Sequence, residues 1–420
     1  MELAIRTAMT KLGAALLEDL LATDAGHRGH RVDCGTGHQA QFISYRPKAL
    51  DTVLGPIELR RAYYHCTDCH AGVVPRDAEL GVAGTSLTPG LAAMVDRVGA
   101  AVPFAAGRDL LAELAGVELS TKRVERRAEA DGRALAAAID TQAAAVLAGQ
   151  LLPMGPTDPV ATLYVAVDGT GIPAVPAETE GRKGKDPDAR THTREVKLGV
   201  VFTQTKVDAK GFPIRDPASA SYVATLEPVE HFGNLVYAEA LRRGSARANQ
   251  VVVLGDGAVW IWNLASLHFS GATHIVDLYH AREHLHDLAT LLAPALGENR
   301  AGWLAQRKDE LDAGDIPAIL TAARELEVPA TRADDLDTAL GYFQTNAARM
   351  QYKAFRQAGH FVGSGSVEAG CKAVIGQRLK LSGMRWSVPG ATGIATLRCQ
   401  DASGRWAEVR QRPDTQTNVA

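Results

Sequence analysis

The stretch Leu163–Gly169 reads Leu-Tyr-Val-Ala-Val-Asp-Gly, an apolar run that ends abruptly in an acid and a glycine. Small and β-branched residues in such a run predict a buried strand. A carboxylate at the end of a buried strand lies at the rim of a sheet, where it can reach solvent, a metal ion or a substrate. Asp168 is therefore either a residue of a functional site or the start of an ordinary Asp-Gly turn.

Two further acids follow comparable signals downstream. A second apolar run, Val-Val-Val-Leu, ends in Gly-Asp-Gly and places Asp256 at the end of another buried strand. Glu368 lies in Gly-Ser-Gly-Ser-Val-Glu, where Ser364 or Ser366 can cap a helix and put the acid in its first turn. A capping-box glutamate of local use is the alternative for Glu368. Three carboxylates converging from a sheet and a neighbouring helix can hold two divalent ions ~4 Å apart for phosphoryl displacement.

The composition is that of a globular protein. The chain has 420 residues, of which 46% are hydrophobic and 22% charged, and a net charge of −3. This length suffices for two or three domains. Residues 371–410 contain seven basic and two acidic residues, and residues 182–197 six and three. Both segments flank the acids, where a polyanion would lie, although a charge run is also compatible with a solvated face.

Neither a membrane span nor a signal sequence is predicted. No stretch approaches about eighteen uninterrupted apolar residues, and the chain does not open on a basic and then apolar pattern. We therefore expect a soluble, cytoplasmic protein without membrane partners. Its five cysteines, an odd number and widely spaced, argue against a disulfide framework.

A Cys-x-x-Cys motif follows a predicted hairpin. Residues 51–64 alternate around a Gly-Pro turn and run directly into Cys66-Thr-Asp-Cys69. Two thiolates at a hairpin tip can hold one tetrahedral zinc ion, and Cys34 is a third candidate ligand. A redox pair and a ribbon without metal are the alternatives. The candidates for the fourth ligand are His30, His38, His65 and His70.

Residues 87–148 have a helical pattern. Two predicted helices, 87–101 and 103–114, precede a short linker and Ser120, a favourable N-cap for the next helix. A helix, a short turn and a capped basic helix resemble a helix-turn-helix whose second helix enters a DNA groove. A small bundle with an exposed mixed-charge helix is the alternative. The basic residues at the start of the capped helix are Lys122, Arg123, Arg126 and Arg127.

The region from residue 161 onward predicts a five-stranded sheet. The Asp168 strand is followed by strands at 195–204 and 221–227, a helix at 232–243, the Asp256 strand, a helix at 258–269 and a strand at 272–277. This is the order of the ribonuclease H-like fold, whose sheet is mixed because its first three strands form a meander. Residues 298–355 are alanine-rich, charged and helical in pattern, and predict an insertion before Glu368.

His280-Ala-Arg-Glu-His284 allows two groupings of its residues. It matches the H-x-x-E-H pattern of inverted zinc peptidases, in which both histidines bind zinc and Glu283 acts as base. That grouping leaves both strand-end aspartates without a role. Alternatively, Asp277 and His280 form a pair across a strand end and a helix start, so that His280 contacts a phosphate or the catalytic water. Local capping or packing by His280 is a third interpretation.

Together these motifs resemble bacterial insertion-sequence transposases of the Kra type, within the wider Asp-Asp-Glu class of ribonuclease H-like recombinases. The Asp277-x-x-His280 step is similar to a motif of Mutator- and hAT-like transposases. One departure is Cys34-Gly-Thr36, where the family usually has Cys-x-Cys, so that His38 is the candidate substitute. The resemblance spans most of the chain, in residues 55–69, Val167-Asp-Gly-Thr-Gly, Leu254-Gly-Asp-Gly-Ala, Asp277-Leu-Tyr-His, Gly363-Ser-Gly-Ser-Val-Glu and Gly383-Met-Arg-Trp386.

The resemblance implies a DNA transposase that hydrolyses the phosphodiester at each element end and transfers the strand into target DNA. Two Mg²⁺ (or Mn²⁺) ions would be held by Asp168, Asp256 and Glu368, with Asp277 and His280 as further site residues. Structural zinc would be bound by Cys34, Cys66, Cys69 and His38. A domesticated DNA-binding protein that does not cut is the remaining alternative. The residues expected to contact DNA are Lys122, Arg123, Arg126, Arg127, Arg182, Lys183, Lys185, Lys372, Arg385 and Trp386.

The expected partners are double-stranded DNA, as terminal inverted repeats and as target, and further copies of the chain in a homodimer or higher oligomer near the nucleoid. The predicted organisation has five parts. They are an N-terminal helix (1–26), a zinc-ribbon-like module (27–80), a helical helix-turn-helix-like region (84–150), a ribonuclease H-like catalytic domain (158–293 and 356–400) and a helical insertion (294–355).

Overall fold

The computed structural model describes residues 1–151, 159–182 and 191–410. The chain divides into two compact units. The first unit contains residues 1–136, 389–398 and the segment from 405 onward, and the second contains residues 137–388 and 399–404. Each unit is described by itself below.

An antiparallel sheet forms the centre of the first unit. Its strands follow each other in sequence order, β1 (Arg31–Asp33), β2 (Gln39–Thr52), β3 (Gly55–His65) and β4 (Gly72–Val73). The predicted hairpin is β2 and β3, which pair along their whole length down to Thr52 and Gly55 at the turn. Leu50, Ile57 and Leu59 on this hairpin are buried and form a small apolar core.

Five helices accompany this sheet within residues 1–151. They are α1 (Glu2–Ala22), α2 (Pro75–Glu79), α3 (Pro89–Ala101), α4 (Phe104–Leu110) and α5 (Thr121–Leu147). A π-helical turn, Leu111–Ala115, extends α4 and ends at Gly116, whose φ of 69° is favourable for glycine. Ser120 then begins α5, since its carbonyl accepts the N–H groups of Arg123 and Val124. The helices pack through Leu91, Val95 and Val124.

Within residues 159–182 and 191–410, five strands form one mixed sheet. The strand order is β11-β10-β5-β6-β9, with β10 parallel to both neighbours and β5, β6 and β9 antiparallel to one another. A two-stranded hairpin, β7 and β8, occupies the connection before β9. The strands are β5 (Thr162–Pro173), β6 (Thr193–Gln204), β7 (Lys206–Val207), β8 (Pro213–Ile214), β9 (Ser221–Thr225), β10 (Gln250–Gly255) and β11 (Thr273–Val276).

The sheet is buried because its central strands are apolar on both faces. Leu163 to Val167 are at most 1% exposed, and so are Val196, Leu198 and Phe202 of β6. Helices cover both faces, as expected when parallel strands connect through helical crossovers. The predicted mixed five-stranded sheet is therefore confirmed, whereas the β7–β8 hairpin was not predicted.

The remaining helices lie between the strands, in residues 293–357, which cover the predicted helical insertion at 294–355, and after that segment. In the part of the chain that the structure describes, no helix has the length and apolar character needed to cross a membrane. The helices are α6 (Pro176–Thr179), α7 (Val229–Arg242), α8 (Val259–His268), α9 (Leu278–Leu291), α10 (Ala293–Leu296), α11 (Arg300–Ala313), α12 (Ile316–Arg324), α13 (Ala333–Asn346), α14 (Tyr352–Gln357), α15 (Gly365–Gly370), α16 (Gln377–Leu379), α17 (Val388–Ala402) and α18 (Trp406–Arg410).

Candidate functional site

Asp168 and Asp256 lie at the same edge of the second unit's sheet. The parallel pairing of β5 and β10 matches Ala166 with Leu254, and each aspartate follows its paired residue by two positions. The sequence predicts that the strand ends at Asp168. In the structure β5 continues to Pro173, where it still pairs with β6. Asp168 therefore marks the point where β5 separates from β10, and the alternative of a simple Asp-Gly turn is wrong.

The backbone after β10 turns sharply and is held by a tyrosine from the helical insertion. Gly257 has a φ of 102°, a conformation that side chains disfavour. The N–H of Ala258 donates to Oδ1 of Asp256 at 2.9 Å, and the hydroxyl of Tyr342 on α13 donates to the Asp256 carbonyl at 3.0 Å. A Cβ on Gly257 would lie 2.6 Å from the Tyr342 ring. Tyr342 thus fixes the turn that carries Asp256, and no sequence signal singled it out.

Glu368 reaches the site on α15, which packs on β5 and β6. The Ser364 carbonyl accepts the N–H of Glu368 at 3.1 Å, so Ser364 is the residue that begins this helix. The N–H of Ser364 donates to Asp277 and not to Glu368, so this is not a capping box. A Cβ on Gly370 would lie 3.0 Å from both Leu198 and Tyr222. The absence of a side chain there allows the helix to approach the sheet closely.

Asp277 and His280 form an ion pair at the start of α9, in which the Asp277 side chain is buried and the His280 side chain is 30% exposed. Oδ1 of Asp277 accepts the backbone N–H of His280 at 2.8 Å and lies 3.2 Å from its ring nitrogen Nδ1. Burial opposes ionisation of Asp277, but the hydrogen bonds from His280 and Ser364 hold its pKa below the ordinary value. The hydrogen bond to Asp277 raises the pKa of His280 to about 9, and Asp256 and Glu283 add to this. At neutral pH His280 is therefore a cation and a hydrogen-bond donor.

The carboxyl group of Asp168 is partly buried and lies near a second acid, Asp256. Burial raises the pKa of the Asp168 carboxyl, and the nearby Asp256 raises it further. The thiol of Cys371, the first residue after α15, lies 3.4 Å from Oδ2 of Asp168. Burial, together with the charge of Asp168, raises the pKa of this thiol well above its usual range, so Cys371 is a neutral donor. A divalent cation between Asp168 and Asp256 would relieve the unfavourable charge.

The ligand atoms of Asp277, His280 and Glu368 all lie within 4.8 Å of one another. The predicted trio of Asp168, Asp256 and Glu368 is not among the compact ligand groups found in the described residues. Since His280 is protonated and Asp277 is saturated with hydrogen bonds, we interpret the compact group as a hydrogen-bond network. The carboxylate oxygens of the trio are the donor type that Mg²⁺ prefers, and Asp168 and Asp256 are close enough to interact electrostatically.

His284 lies in a different environment from His280. Its ring stacks on Tyr342 with 3.6 Å between the ring centroids, and burial lowers its pKa. Among the residues that the structure describes, no metal-ligating group contains both His280 and His284. The geometry therefore gives the H-x-x-E-H grouping no zinc site.

A basic cavity of about 1110 Å³ lies beside the acidic edge. Arg182, Lys380 and Arg385 line it. The ammonium group of Lys380 donates to the hydroxyl of Thr170, two residues after Asp168 on β5, which connects the cavity to the edge. Lys183 and Lys185, predicted to contact DNA, lie outside the described residues.

Two other predicted DNA contacts differ in exposure. Lys372 is 82% exposed, with its Nζ 3.9 Å from Glu368. Trp386 is only 5% exposed, and its indole N–H donates to the Leu379 carbonyl at 3.0 Å. Trp386 therefore packs beneath the segment that follows Glu368, and its ring is not accessible to a ligand.

A second ligand group lies in the first unit. The ligand atoms of Cys34, His38, Cys66 and Cys69 fall within 4.8 Å of one another. Hydrogen bonds from the Ala71 backbone and from Thr36 lower the pKa of Cys69 to about 6, which favours the thiolate that binds metal. The Sγ atoms of Cys34 and Cys69 are 3.7 Å apart, close to the edge of about 3.8 Å of a zinc tetrahedron with 2.3 Å bonds. The residues fit a structural zinc ion, and His38 is the histidine that completes the set.

The four basic residues at the start of α5 divide into two pairs. The Arg123 guanidinium contacts Asp51 at 2.5 Å, and Arg127 contacts Asp131 at 2.6 Å. Arg126 is exposed, and Lys122 is exposed with an ion pair to Glu125 at 2.7 Å. Lys122 and Arg126 are therefore the pair more accessible to a nucleic acid.

No protein-family model matches the chain, and comparison with the curated proteins gives no match.

Proposed function

We propose that this protein is a DNA transposase of the Asp-Asp-Glu class with a ribonuclease H-like catalytic domain. Its reaction would be divalent-metal-dependent hydrolysis of the phosphodiester at each element end, followed by attack of the freed 3′-hydroxyl on target DNA. The observation that carries the proposal is that Asp168 on β5 and Asp256, directly after β10, lie at the same edge of two neighbouring parallel strands, while α15, which carries Glu368, packs on β5.

The topology supports the ribonuclease H-like assignment. An antiparallel meander of three strands, followed by two parallel strands on the other side of the first, is the arrangement expected for that fold. The order β11-β10-β5-β6-β9 follows it, with Asp168 on the first strand of the sheet and Asp256 directly after the fourth. The helical insertion separates the fifth strand from the helix of Glu368.

Asp168, Asp256 and Glu368 would hold two Mg²⁺ or Mn²⁺ ions. When bound, such ions activate the attacking oxygen and neutralise charge on the phosphate. The protonated His280 would donate a hydrogen bond to a non-bridging phosphate oxygen, because Asp277 orients its ring from the other side. Tyr342 keeps the Asp256 turn in place, and Cys371 keeps Asp168 oriented without adding charge.

Positive side chains would hold the DNA backbone next to the acids. Arg182, Lys380 and Arg385 line one continuous cavity, and Lys372 lies exposed beside Glu368. Cations in this arrangement bind phosphates without reading sequence. The exposed Lys122 and Arg126 on α5 would contribute a second contact, on a helix-turn-helix-like element. A zinc ion on Cys34, His38, Cys66 and Cys69 would have a structural role only.

The test is strand cleavage of a duplex that carries the element's terminal inverted repeats. We expect cleavage at the repeat end in Mg²⁺ or Mn²⁺ and none with a chelator. Binding of the repeats without cleavage in either metal would identify a DNA-binding protein that does not cut. Absence of both binding and cleavage would contradict the proposal.

A further inference from the structure

A second cavity of the catalytic unit, of about 690 Å³, adjoins the pair of Asp277 and His280. Leu278 and Gly363 line it, and a Cβ on Gly363 would lie 3.6 Å from Oδ2 of Asp277. The volume is within the range of about 300–1,000 Å³ that is typical of small-molecule sites. We call it the aromatic cavity, and the side chains that give it its chemical character are Lys210, Phe212, Tyr279, Arg356 and Gln357.

Two aromatic rings at this cavity are uncovered. Tyr279 is 62% exposed and Phe212 is 56% exposed. Neither ring contacts another aromatic ring within the part of the chain that the structure describes. A Cβ on Gly363 would lie 3.2 Å from the Tyr279 ring, so the glycine leaves room for that ring at the cavity wall. Uncovered aromatic faces in a cavity are surfaces on which a planar ring can stack.

The turn that carries Phe212 is held by one aspartate. Oδ1 of Asp208 accepts the backbone N–H groups of Lys210 and Phe212, both at 2.8 Å. The Asp208 N–H in turn donates to the Phe212 carbonyl at 2.8 Å. The side-chain amide of Gln204 donates to the Gly359 carbonyl at 2.9 Å, which ties the end of β6 to the segment after α14. The β7–β8 hairpin therefore presents Phe212 and Lys210 on backbone that is already ordered.

Two cations accompany the rings. Lys210 is exposed and has no ion pair within the described residues. Arg356 lies 3.5 Å from Asp312, but Arg282 already binds both oxygens of that carboxylate, at 2.7 and 2.8 Å. Arg356 therefore shares an acid whose charge is compensated, and it retains capacity for an anion. The exposed amide of Gln357, which offers donors and an acceptor, makes no hydrogen bond in the described part of the chain.

We propose that the aromatic cavity binds one unstacked nucleotide, with its base against Tyr279 and Phe212 and its phosphate on Arg356 and Lys210. Aromatic faces beside cations bind nucleotides of any sequence, because every base has a planar face and every phosphate a negative charge. An aliphatic acid would use the cations and leave both rings uncovered. An apolar ligand would cover the rings and leave the cations without a partner.

The source of the nucleotide rests on the proposed function. Because the cavity adjoins Asp277 and His280, a DNA strand held at the acids would place an unpaired nucleotide of that strand in it. A free nucleotide has the same chemistry. Binding of DNA and binding of a free nucleotide are therefore measured separately.

The experiment compares two duplexes by fluorescence anisotropy, without added divalent ions so that no strand is cut. One duplex ends in a single unpaired nucleotide, and the other has an abasic unit at the same position. The wild type should bind the first about tenfold more tightly, since the two differ only in the base. Tyr279→Ala and Phe212→Ala should each reduce this preference, whereas Tyr279→Phe should keep it. Lys210→Ala should weaken binding of both duplexes alike, because both carry the phosphate.

The matched control is Leu267→Ala, which removes a side chain of α8 that is 74% exposed and does not line the cavity. It should keep the preference of the wild type. All these substitutions are at exposed positions, so melting curves should be unchanged. Competition by deoxyadenosine monophosphate that is lost in Tyr279→Ala would identify free nucleotides as ligands of the same cavity.

Equal affinity of the wild type for the two duplexes, without competition by the free nucleotide, would overturn the inference. So would a preference that persists in both Tyr279→Ala and Phe212→Ala. Cleavage of repeat DNA by a wild type without the preference would overturn the inference and leave the proposed function standing. A preference lost in Tyr279→Ala, in a wild type that cuts no repeat DNA, would support the inference and count against the proposed reaction.

Discussion

The hydroxyl of Tyr342 donates a hydrogen bond to the backbone carbonyl of Asp256 at 3.0 Å, across 86 residues of sequence. Tyr342→Phe removes this bond and keeps the ring against Gly257 and His284. We expect the Asp256 turn to loosen, so that half-maximal DNA cleavage needs about three- to tenfold more Mg²⁺. The loss of stability should be small, about 1 kcal/mol. A magnesium titration of the cleavage rate, with thermal unfolding alongside, measures both effects.

The control for this prediction is Tyr352→Phe. The Tyr352 hydroxyl is buried and has no hydrogen-bond partner within the described part of the chain, so its removal should leave the magnesium requirement unchanged and should not lower the stability. An unchanged magnesium requirement in Tyr342→Phe would show that the tyrosine has no positioning role.

The ion pair of Asp277 and His280 predicts a pH-dependent contribution to stability. Because the folded pKa of His280 is raised from 6.5 to about 9, its stabilisation is fully present below pH 6.5 and is lost as the pH rises through 9. The depressed pKa of Asp277 adds stability above its ordinary value of 3.8, which is lost only in acid. Asp277→Asn should therefore destabilise the protein more at pH 6 than at pH 10.

We expect the difference between the two pH values to be about 1 kcal/mol, because the imidazole of His280, which is 30% exposed, is screened by solvent. Urea unfolding without divalent ions measures it. Asp309→Asn, which changes an exposed acid of α11, should show no such difference. An Asp277→Asn effect of equal size at both pH values would argue against the ion pair.

The cysteine group predicts one bound zinc ion per chain. Cys66→Ser together with Cys69→Ser should abolish zinc binding in elemental analysis and strongly destabilise residues 27–80, since zinc binding contributes directly to the folding of small ribbons. Cys399→Ser, which changes a buried cysteine outside the group, should retain the zinc. If wild-type protein is produced in medium that contains zinc and elemental analysis finds no zinc in the purified protein, the metal site is contradicted.

The basic cavity predicts a change in the salt dependence of DNA binding. Arg385→Ala and Arg182→Ala should each weaken binding of any duplex and reduce the slope of log K against log salt by about 0.9 for each phosphate that the variant no longer neutralises. Lys353→Ala removes an exposed lysine of α14 that does not line the cavity, and should leave the slope unchanged. Equal slopes in all three variants would remove the cavity from the DNA-binding surface.

The sheet could be predicted from the sequence because its strands are apolar on both faces, which makes each one visible as a run such as Leu163–Val167. The pairing of Asp277 with His280 was also accessible, since both residues belong to one strand end and the helix after it. Local signals of this kind depend on neighbours in sequence.

Residues that meet across long sequence distances left no such signal. Tyr342 lies in the segment 298–355, whose alanine-rich and charged helical pattern gives no indication of Asp256. Cys371 meets Asp168 across 203 residues. The spacing of the residues left four histidines open for the zinc group, because the choice depends on how the loop after β1 folds back. Only the family resemblance pointed to His38, which the structure places in the group. Nor could it tell Arg123 and Arg127, which are bound to acids of the same chain, from the more exposed Lys122 and Arg126.

The proposed metal site is tested by measuring Mg²⁺-dependent cleavage of terminal-repeat DNA by three variants, Asp168→Asn, Asp256→Asn and Glu368→Gln. Each should reduce the cleavage rate by about two orders of magnitude or more, because each removes a carboxylate that would hold metal in the proposed site. Binding to the repeat should stay close to that of the wild type, and Asp309→Asn should cleave normally. Near-normal cleavage by all three variants would contradict the account.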